Sequence, residues 1–375
     1  MNKIGIYIHI PFCIKKCLYC DFVSYSDKKD IQEQYMKSLK KEIENWLKQN
    51  QDIEIETIYI GGGTPSSIDE KYIKEILETI NPKKDISITI EVNPGTVTKN
   101  KLIQYKKSGI NRLSIGLQST ENELLKLIGR IHTYEDFLKT YNMARDVGFY
   151  DINVDLMIGL PSQTINQLKN SLEKIVKLNP EHISVYSLIL EQNTKITQMV
   201  KNGILKLPDE ESERNMYWYV KNFLELNNYI HYEISNFAKM GFEAKHNVDC
   251  WKQKSYRGFG ISACSYIENK RYGNISDINM YIKNIENKNY EKNIELQEIQ
   301  SKKDKMNEYM LLGLRMLKGI SISEFEQKFD ENPIMIYKKS LNKLNNYGLI
   351  VIDGDIIRLS EKGLDLANVV WEEFI

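Results

Sequence analysis

The sequence carries no charge imbalance, with 51 basic side chains against 51 acidic ones. No global field therefore draws the chain to nucleic acid or an anionic membrane, and partners must be recognised locally. Long apolar runs are also missing. None approaches the roughly 20 residues of a membrane span, and His9 and Pro11 interrupt the hydrophobic stretch nearest the N-terminus. A leaderless, cytoplasmic protein is expected, one that meets a membrane only peripherally, through a partner. Cysteine is scarce and odd in number, five in 375 residues. That count argues against a disulfide framework and for thiols kept reduced as ligands. What is present is core-forming material, 42% hydrophobic, enough for two or three domains.

From Ile4 to about Leu190, β-rich runs alternate with helical patterns. The runs are "IGIYIHI", "IETIYI", "ISITIEV", "INRLSIGLQ", "YDINVDLMIGL" and "HISVYSLIL". Between the first two, Ile31, Tyr35, Leu39, Ile43 and Leu47 recur every four residues as one helix face, with Ser26 or Asp27 as its cap. This alternation predicts an α/β fold with a parallel sheet, either an open (β/α)6 partial TIM barrel or a doubly wound sheet. Either way, chemistry belongs at the C-terminal ends of the strands. Residues 1–195 are assigned to this core. The alternation fades over 196–295, read as an extension packed on the barrel. Residues 296–375 read as three helices and a hairpin centred on Asp353-Gly354, a winged-helix-like domain. Residues 301–375 hold 11 Lys and Arg against 12 Asp and Glu, which disfavours a phosphate-binding role there.

Three of the cysteines, Cys13, Cys17 and Cys20, fall in the loop after the first strand with the spacing C-x3-C-x2-C. Zinc would require a fourth ligand such as His9, and structural zinc usually takes cysteines from two separated knuckles. A 4Fe-4S cluster suits three thiolates better and leaves one iron open to a substrate or cofactor.

With Tyr19 before the last cysteine, this motif resembles that of the radical S-adenosylmethionine (SAM) superfamily. The resemblance implies that Cys13, Cys17 and Cys20 hold the cluster and that SAM chelates the open iron. It also implies that "GGGTP", with Gly62, Gly63 and Thr64, lays backbone against the methionyl end of SAM. Tyr7, Glu91 of "IEVNPG", Gln118 of "SIGLQS", Arg130 and Asp155 of "NVDLMIGLP" match the superfamily's remaining SAM contacts. Taken singly, each is an ordinary turn, cap or solvated residue. Charge type suggests the ammonium for Glu91, the carboxylate for Arg130, and the ribose or adenine edge for Gln118 and Asp155.

"YIHIPFC", "DLMIGLPSQT", "YEISNFA" and "LLGLRMLKGI" narrow the resemblance to the oxygen-independent coproporphyrinogen III oxidase group. True oxidases share a fourth cysteine two residues after the third and a long N-terminal arm. Here Phe22 takes that position and six residues precede Tyr7, so the chain is closer to the HemW-like heme chaperones. That branch implies heme as a further ligand and an unidentified heme-acceptor protein as partner; the oxidative decarboxylase is the alternative. The branch's H-N-x-x-Y-W motif appears as "HNVDCW". The resemblance makes His246 a heme-binding residue, while Cys250 replaces the usual tyrosine and Cys264 departs from the family's "AHS". Either cysteine could offer a thiolate to heme iron, or be a small buried hydrophobe.

Overall fold

The computed structural model describes residues 2–375. The six runs form β1 (Asn2–Ile10), β2 (Ile53–Gly62), β3 (Ser87–Val92), β4 (Arg112–Gln118), β5 (Asp151–Ile158) and β6 (His182–Ser187), parallel and paired in chain order. Helices α1 (Gln32–Gln49), α2 (Glu70–Ile80), α3 (Lys99–Lys107), α4 (Asn122–Leu127), α5 (Tyr134–Val147) and α6 (Ile165–Leu178) connect them. β6 does not pair with β1, so the barrel is open. Ser26 and Asp27 do not cap α1: it starts at Gln32 behind Ile31, which makes no side-chain cap. Burial of Tyr35, Leu39 and Ile43 holds this helix in place of a cap.

Side chains alternate across each strand. Ile6, Ile8 and Ile10 of β1, Ile58 and Ile60 of β2, Leu113 and Ile115 of β4 and Val154 and Leu156 of β5 are buried in one continuous core beneath the helices. The intervening residues turn inward and are polar: Tyr7 and His9, Thr57 and Tyr59, Thr89 and Glu91, Arg112 and Ser114, Asn153 and Asp155, His182 and Ser184. The lumen is thus a polar chamber inside an apolar shell.

The next segment supplies α7 (Lys195–Lys201), α8 (Glu210–Leu226), β7 (Ile230–Glu233), β8 (Asn236–Ala238), α9 (Lys245–Trp251), β9 (Tyr256–Phe259), β10 (Cys264–Ile267), β11 (Lys270–Asn274), α10 (Ile278–Glu286) and β12 (Ile294–Ile299). Rather than only packing on the barrel, it prolongs the barrel's sheet at both edges. β8 and β7 continue antiparallel beyond β6; β9 lies parallel to β1 and leads into antiparallel β10, β11 and β12. Twelve strands form one sheet.

The remaining elements are α11 (Lys302–Gly313), β13 (Ile320–Ser321), α12 (Ile322–Phe329), α13 (Pro333–Ile336), α14 (Lys338–Asn346), β14 (Ile350–Asp353), β15 (Ile356–Leu359), α15 (Glu361–Asp365) and α16 (Ala367–Glu372). They enclose a second core around Met310, Leu314, Phe325, Leu341 and Ile357. Asp353 pairs with Ile356, so the hairpin turn is Gly354-Asp355, one residue later than expected. Gly354 supplies the left-handed φ of +55° that the turn needs. The Asp355 carboxylate accepts from the Ser323 amide and both the Ser321 and Ser323 hydroxyls, tying the wing to α12.

Arg315 joins the two cores. Its guanidinium lies 4.4 Å from the Trp251 ring centroid and 5.0 Å from that of Trp371, and 3.9 Å from the buried Glu233 carboxylate. Burial raises the Glu233 pKa and Arg315 opposes that rise. Arg315→Ala should lower the unfolding free energy by about 2–3 kcal/mol, by lost cation–π contact and an uncompensated buried carboxylate. Because Glu233 can take up a proton, the loss measured by urea denaturation should be greater at pH 8 than at pH 5.

Candidate functional site

The loop after β1 is clipped at its base, with the Cys13 amide donating to the Tyr25 carbonyl (2.9 Å) and the Tyr25 amide to that of Pro11 (2.7 Å). The Leu18 amide reaches the Ile128 carbonyl at 3.0 Å, which draws the loop's centre toward the segment after β4. Cys13, Cys17 and Cys20 are free and partly exposed. Burial raises the thiol pKa of Cys13, and that of Cys20 to about 11, so a cationic centre is needed to hold either as thiolate.

Two of the thiols are linked by a chain of hydrogen bonds. The Thr64 hydroxyl donates to Cys13 Sγ (3.5 Å), and Asn93 Nδ2 donates to Thr64 Oγ1 (2.9 Å). Arg130 Nη2 donates to Asn93 Oδ1 (2.8 Å), while its Nη1 reaches Cys17 Sγ at 3.4 Å. The segments that follow β2, β3 and α4 therefore all bear on the cysteine loop. A cleft over Cys17 is lined by Ile14, Thr64, Asn93, Arg130 and His132. Tyr19 packs beside Arg130 and Cys17, and burial raises its phenol pKa. Asn93 lies two residues beyond Glu91 in "IEVNPG", and the sequence reading passed over it.

The glycines explain themselves by what a side chain would strike. Gly62 has φ +115°, and a Cβ there would lie 2.6 Å from the His9 ring; one on Gly63 would come within 3.0 Å of Cys13 Sγ. A Cβ on Gly116 would stand 3.2 Å from each of Arg130 Nη2, Asn93 Oδ1 and Gln118 Nε2. Gln118, at φ +73°, thus shares the rim with Asn93 and Arg130.

Deeper in the lumen, Glu91 accepts from the Tyr59 hydroxyl (3.0 Å) and the Gly62 amide (3.1 Å). Burial first and Asp155 second push its pKa up to about 7. Asp155, whose pKa burial also raises, accepts from Asn153 Nδ2 (2.7 Å) and the Ser114 hydroxyl (3.3 Å). Asn153 in turn meets His182 Nδ1 at 2.6 Å, and His182 Nε2 meets the Tyr232 hydroxyl at 2.9 Å. This network of Tyr59, Asn153, His182 and Tyr232 also escaped the sequence reading, although each residue from β1–β6 sits at an inward position of its alternating run.

His9 is not a metal ligand here. Its Nε2 bonds the Val23 carbonyl (2.9 Å) and its Nδ1 the Tyr7 hydroxyl (3.0 Å), which assigns a neutral ring protonated at Nε2. Among the described residues, no three Cys, His, Asp or Glu side chains gather closely enough for one metal ion. The donor set does fit an iron–sulfur cluster: three thiols on one loop, a glycine-lined cradle at Cys13, and a buried Arg130 whose Nε lacks a partner.

"HNVDCW" does not lie outside the barrel. It forms α9, and His246 is buried at the N-terminal end of the lumen, with Nδ1 2.8 Å from Thr57 Oγ1 and its ring 5.5 Å from that of Tyr59. Burial lowers its pKa to about 4. Heme ligation would require the ring to sit free of this packing. Cys250 is partly buried, which pushes its thiol up to about 12, and Cys264 is exposed on β10.

The raised Glu91 pKa gives a stability test. A carboxyl that titrates near 4.5 unfolded and near 7 folded binds more protons in the native state between those values. Its contribution therefore falls as pH rises from about 4.5 to 7, by about 3 kcal/mol in total. Urea denaturation of the parent should show this downward slope, and Glu91→Gln should flatten it.

Comparison with known proteins accounts for these features together. The Radical SAM superfamily pattern matches residues 7–175 and the HemN C-terminal domain pattern residues 300–366. The chain is similar to the heme chaperone HemW of Bacillus subtilis, 37% identical over 374 residues, with 98% of each chain covered. It is also similar to that of Lactococcus lactis, at 36% identity with 98% and 96% covered. Coproporphyrinogen III oxidase (HemN) from Escherichia coli shares the fold, with a TM-score of 0.87 and 23% identity over all of this chain and 90% of that one. The chain with the thiol loop, the polar lumen and the winged-helix-like tail belongs to the HemW family within the radical SAM superfamily.

Proposed function

We propose that this protein is a heme chaperone that carries a 4Fe-4S cluster on Cys13, Cys17 and Cys20, binds SAM and heme, and delivers heme to an acceptor protein. The observation that carries the reading is the full-length kinship to proteins named heme chaperone HemW. Phe22, 61% exposed on the cysteine loop, stands where the oxidases hold a further thiol. The working division is a core over 1–195, an extension over 196–295 that builds the lumen's flanks, and a tail over 296–375. No helix among the described residues is long and apolar enough to cross a membrane. A cytoplasmic site of action, with membrane contact only through an acceptor, completes the proposal.

The cluster, when bound, supplies electrons and an open iron at which SAM is chelated. The chain's own residues bind and orient. Arg130 is placed to pair with the SAM carboxylate beside Cys17, and Glu91 to accept from the ammonium, with the Gly62 and Gly63 backbone between them. Asp155 and Gln118 offer acceptors to the ribose and adenine, and Tyr7 and Tyr19 close the aromatic walls. Glu91 pairs with a cation only when ionised, so SAM binding should strengthen as pH rises through about 7. Glu91→Gln should remove that dependence in a titration of cluster-loaded protein.

Anaerobic reconstitution should give four irons per chain, read by iron and sulfide analysis. Cys13→Ser, Cys17→Ser and Cys20→Ser should each lose the cluster, whereas Cys250→Ser and Cys264→Ser should keep it. Stoichiometric zinc without sulfide would sink the assignment.

A radical SAM oxidase is the second reading, because the residues offered here to SAM, Glu91, Asp155 and Arg130, would serve a radical enzyme equally and the fold is shared with coproporphyrinogen III oxidase. The two are separated by incubating loaded protein with SAM and a reductant. A chaperone passes bound hemin to an apo heme protein and leaves coproporphyrinogen III unchanged. Conversion of coproporphyrinogen III to protoporphyrinogen would make the chain an enzyme instead.

A further inference from the structure

Arg130, Asn93 and Thr64 form a hydrogen-bond chain whose direction is fixed at one end. A guanidinium only donates, so the oxygen of the Asn93 amide faces Arg130 Nη2 (2.8 Å) and its nitrogen faces Thr64 Oγ1 (2.9 Å). Thr64 Oγ1 therefore accepts, and its own proton is left for another acceptor. Within reach is Cys13 Sγ, at 3.5 Å. The same guanidinium sends Nη1 to Cys17 Sγ at 3.4 Å, while Nη2 is also held by the Gly116 carbonyl. One cation thus directs protons at two of the three cysteine sulfurs.

The backbone around the chain is fixed as well. The Asn93 amide donates to Ser66 Oγ (3.0 Å), and the Asn93 carbonyl accepts from the Thr96 hydroxyl (2.7 Å). Ser66 Oγ and Thr96 Oγ1 are 2.6 Å apart, and since Thr96 gives its proton to Asn93, Ser66 donates to Thr96. Ser66 is fully buried in the turn Pro65–Ser67, which Lys101 of α3 clamps from behind. The buried Lys101 ammonium donates to the Ser66 carbonyl at 2.7 Å and to that of Ile68. On the other side, the Thr64 amide donates to the Phe12 carbonyl (2.8 Å), next in the chain to Cys13. Both ends of the contact between hydroxyl and sulfur are therefore held by the protein.

Hydrogen bonds donated to the ligating sulfurs are one of a protein's means of setting the potential of an iron–sulfur cluster. Reduction adds negative charge to the cluster and its ligands, and a fixed donor stabilises the more negative state. We propose that Thr64 raises the reduction potential of the cluster through Cys13, with Asn93 as the positioning residue that turns the Thr64 proton to the sulfur. The assignment rests on the cluster reading above and gives a role to residues outside the ligand set. One electron enters the cluster from an external one-electron reductant. No bond breaks, and the Thr64 proton stays on its oxygen.

The test is a redox titration of full-length, anaerobically reconstituted protein without SAM, followed by the electron paramagnetic resonance signal of the reduced cluster. Thr64→Val and Thr64→Ala both remove the hydroxyl, with different volumes, and should make reduction about tenfold less favourable, a midpoint about 59 mV lower for one electron. Thr64→Ser should keep the parent's potential. Asn93→Asp puts a group that only accepts beside Thr64, so the hydroxyl turns to it and away from the sulfur. The resulting fall in potential should be larger in the parent than in the Thr64→Ala background, where no hydroxyl remains to turn, because the added charge acts alike in both. The parent's potential in either hydroxyl-free variant overturns the proposal, and so does an Asn93→Asp shift of equal size in the two backgrounds. Loss of the cluster from both hydroxyl-free variants also overturns it, by making the hydroxyl an assembly contact. A parent protein that takes up no iron and sulfide would instead refute the cluster reading itself.

Discussion

Everything in this molecule depends on one constraint, that the six parallel strands must bury both faces while only one is apolar. The isoleucine-rich faces of β1–β5 are satisfied by the helices. The polar faces cannot be, so they satisfy each other, through Glu91 with Tyr59, Asp155 with Asn153 and Ser114, and His182 with Tyr232. Desolvated carboxylates gathered without full compensation are costly as scaffolding and useful as a binding chamber. Because β6 and β1 do not pair, that chamber keeps a side open, and the added strands and the tail are built around the gap.

The parts of this design that rest on short-range chemistry were legible in the sequence. Three thiols on one loop, alternation in six runs and the glycines before Thr64 each have a local cause. The middle segment hid its strands because they are three to six residues long and interrupted by glycine, as in "YRGF" and "KRYGN". Such runs gain their order from the sheet edge they join, a contact distant in sequence. Asn93 was overlooked for a similar reason. Its role exists only once the segments after β2 and α4 bring Thr64 and Arg130 to either side of it.

"HNVDCW" shows how a motif can be recognised and its place still misjudged. Its residues do different jobs at different depths: His246 fills the lumen floor against Thr57, and Trp251 meets Arg315 from the tail. Asp249 pairs with Lys245 and Lys254 on the outside of the same helix. The spacing of one short helix therefore couples the barrel interior to the second core. A substitution there reports on architecture as well as on any ligand.

The chain from Cys13 through Thr64, Asn93 and Arg130 to Cys17 consists entirely of protein atoms. Part of the loop's shape is therefore carried by the protein's own hydrogen bonds, a contrast with small zinc domains in which metal binding and folding are a single event. Those four bonds reach the loop at Cys13 and Cys17 from two other parts of the barrel, so the spacing of two of the three thiols is tied to the sheet and not to the loop alone.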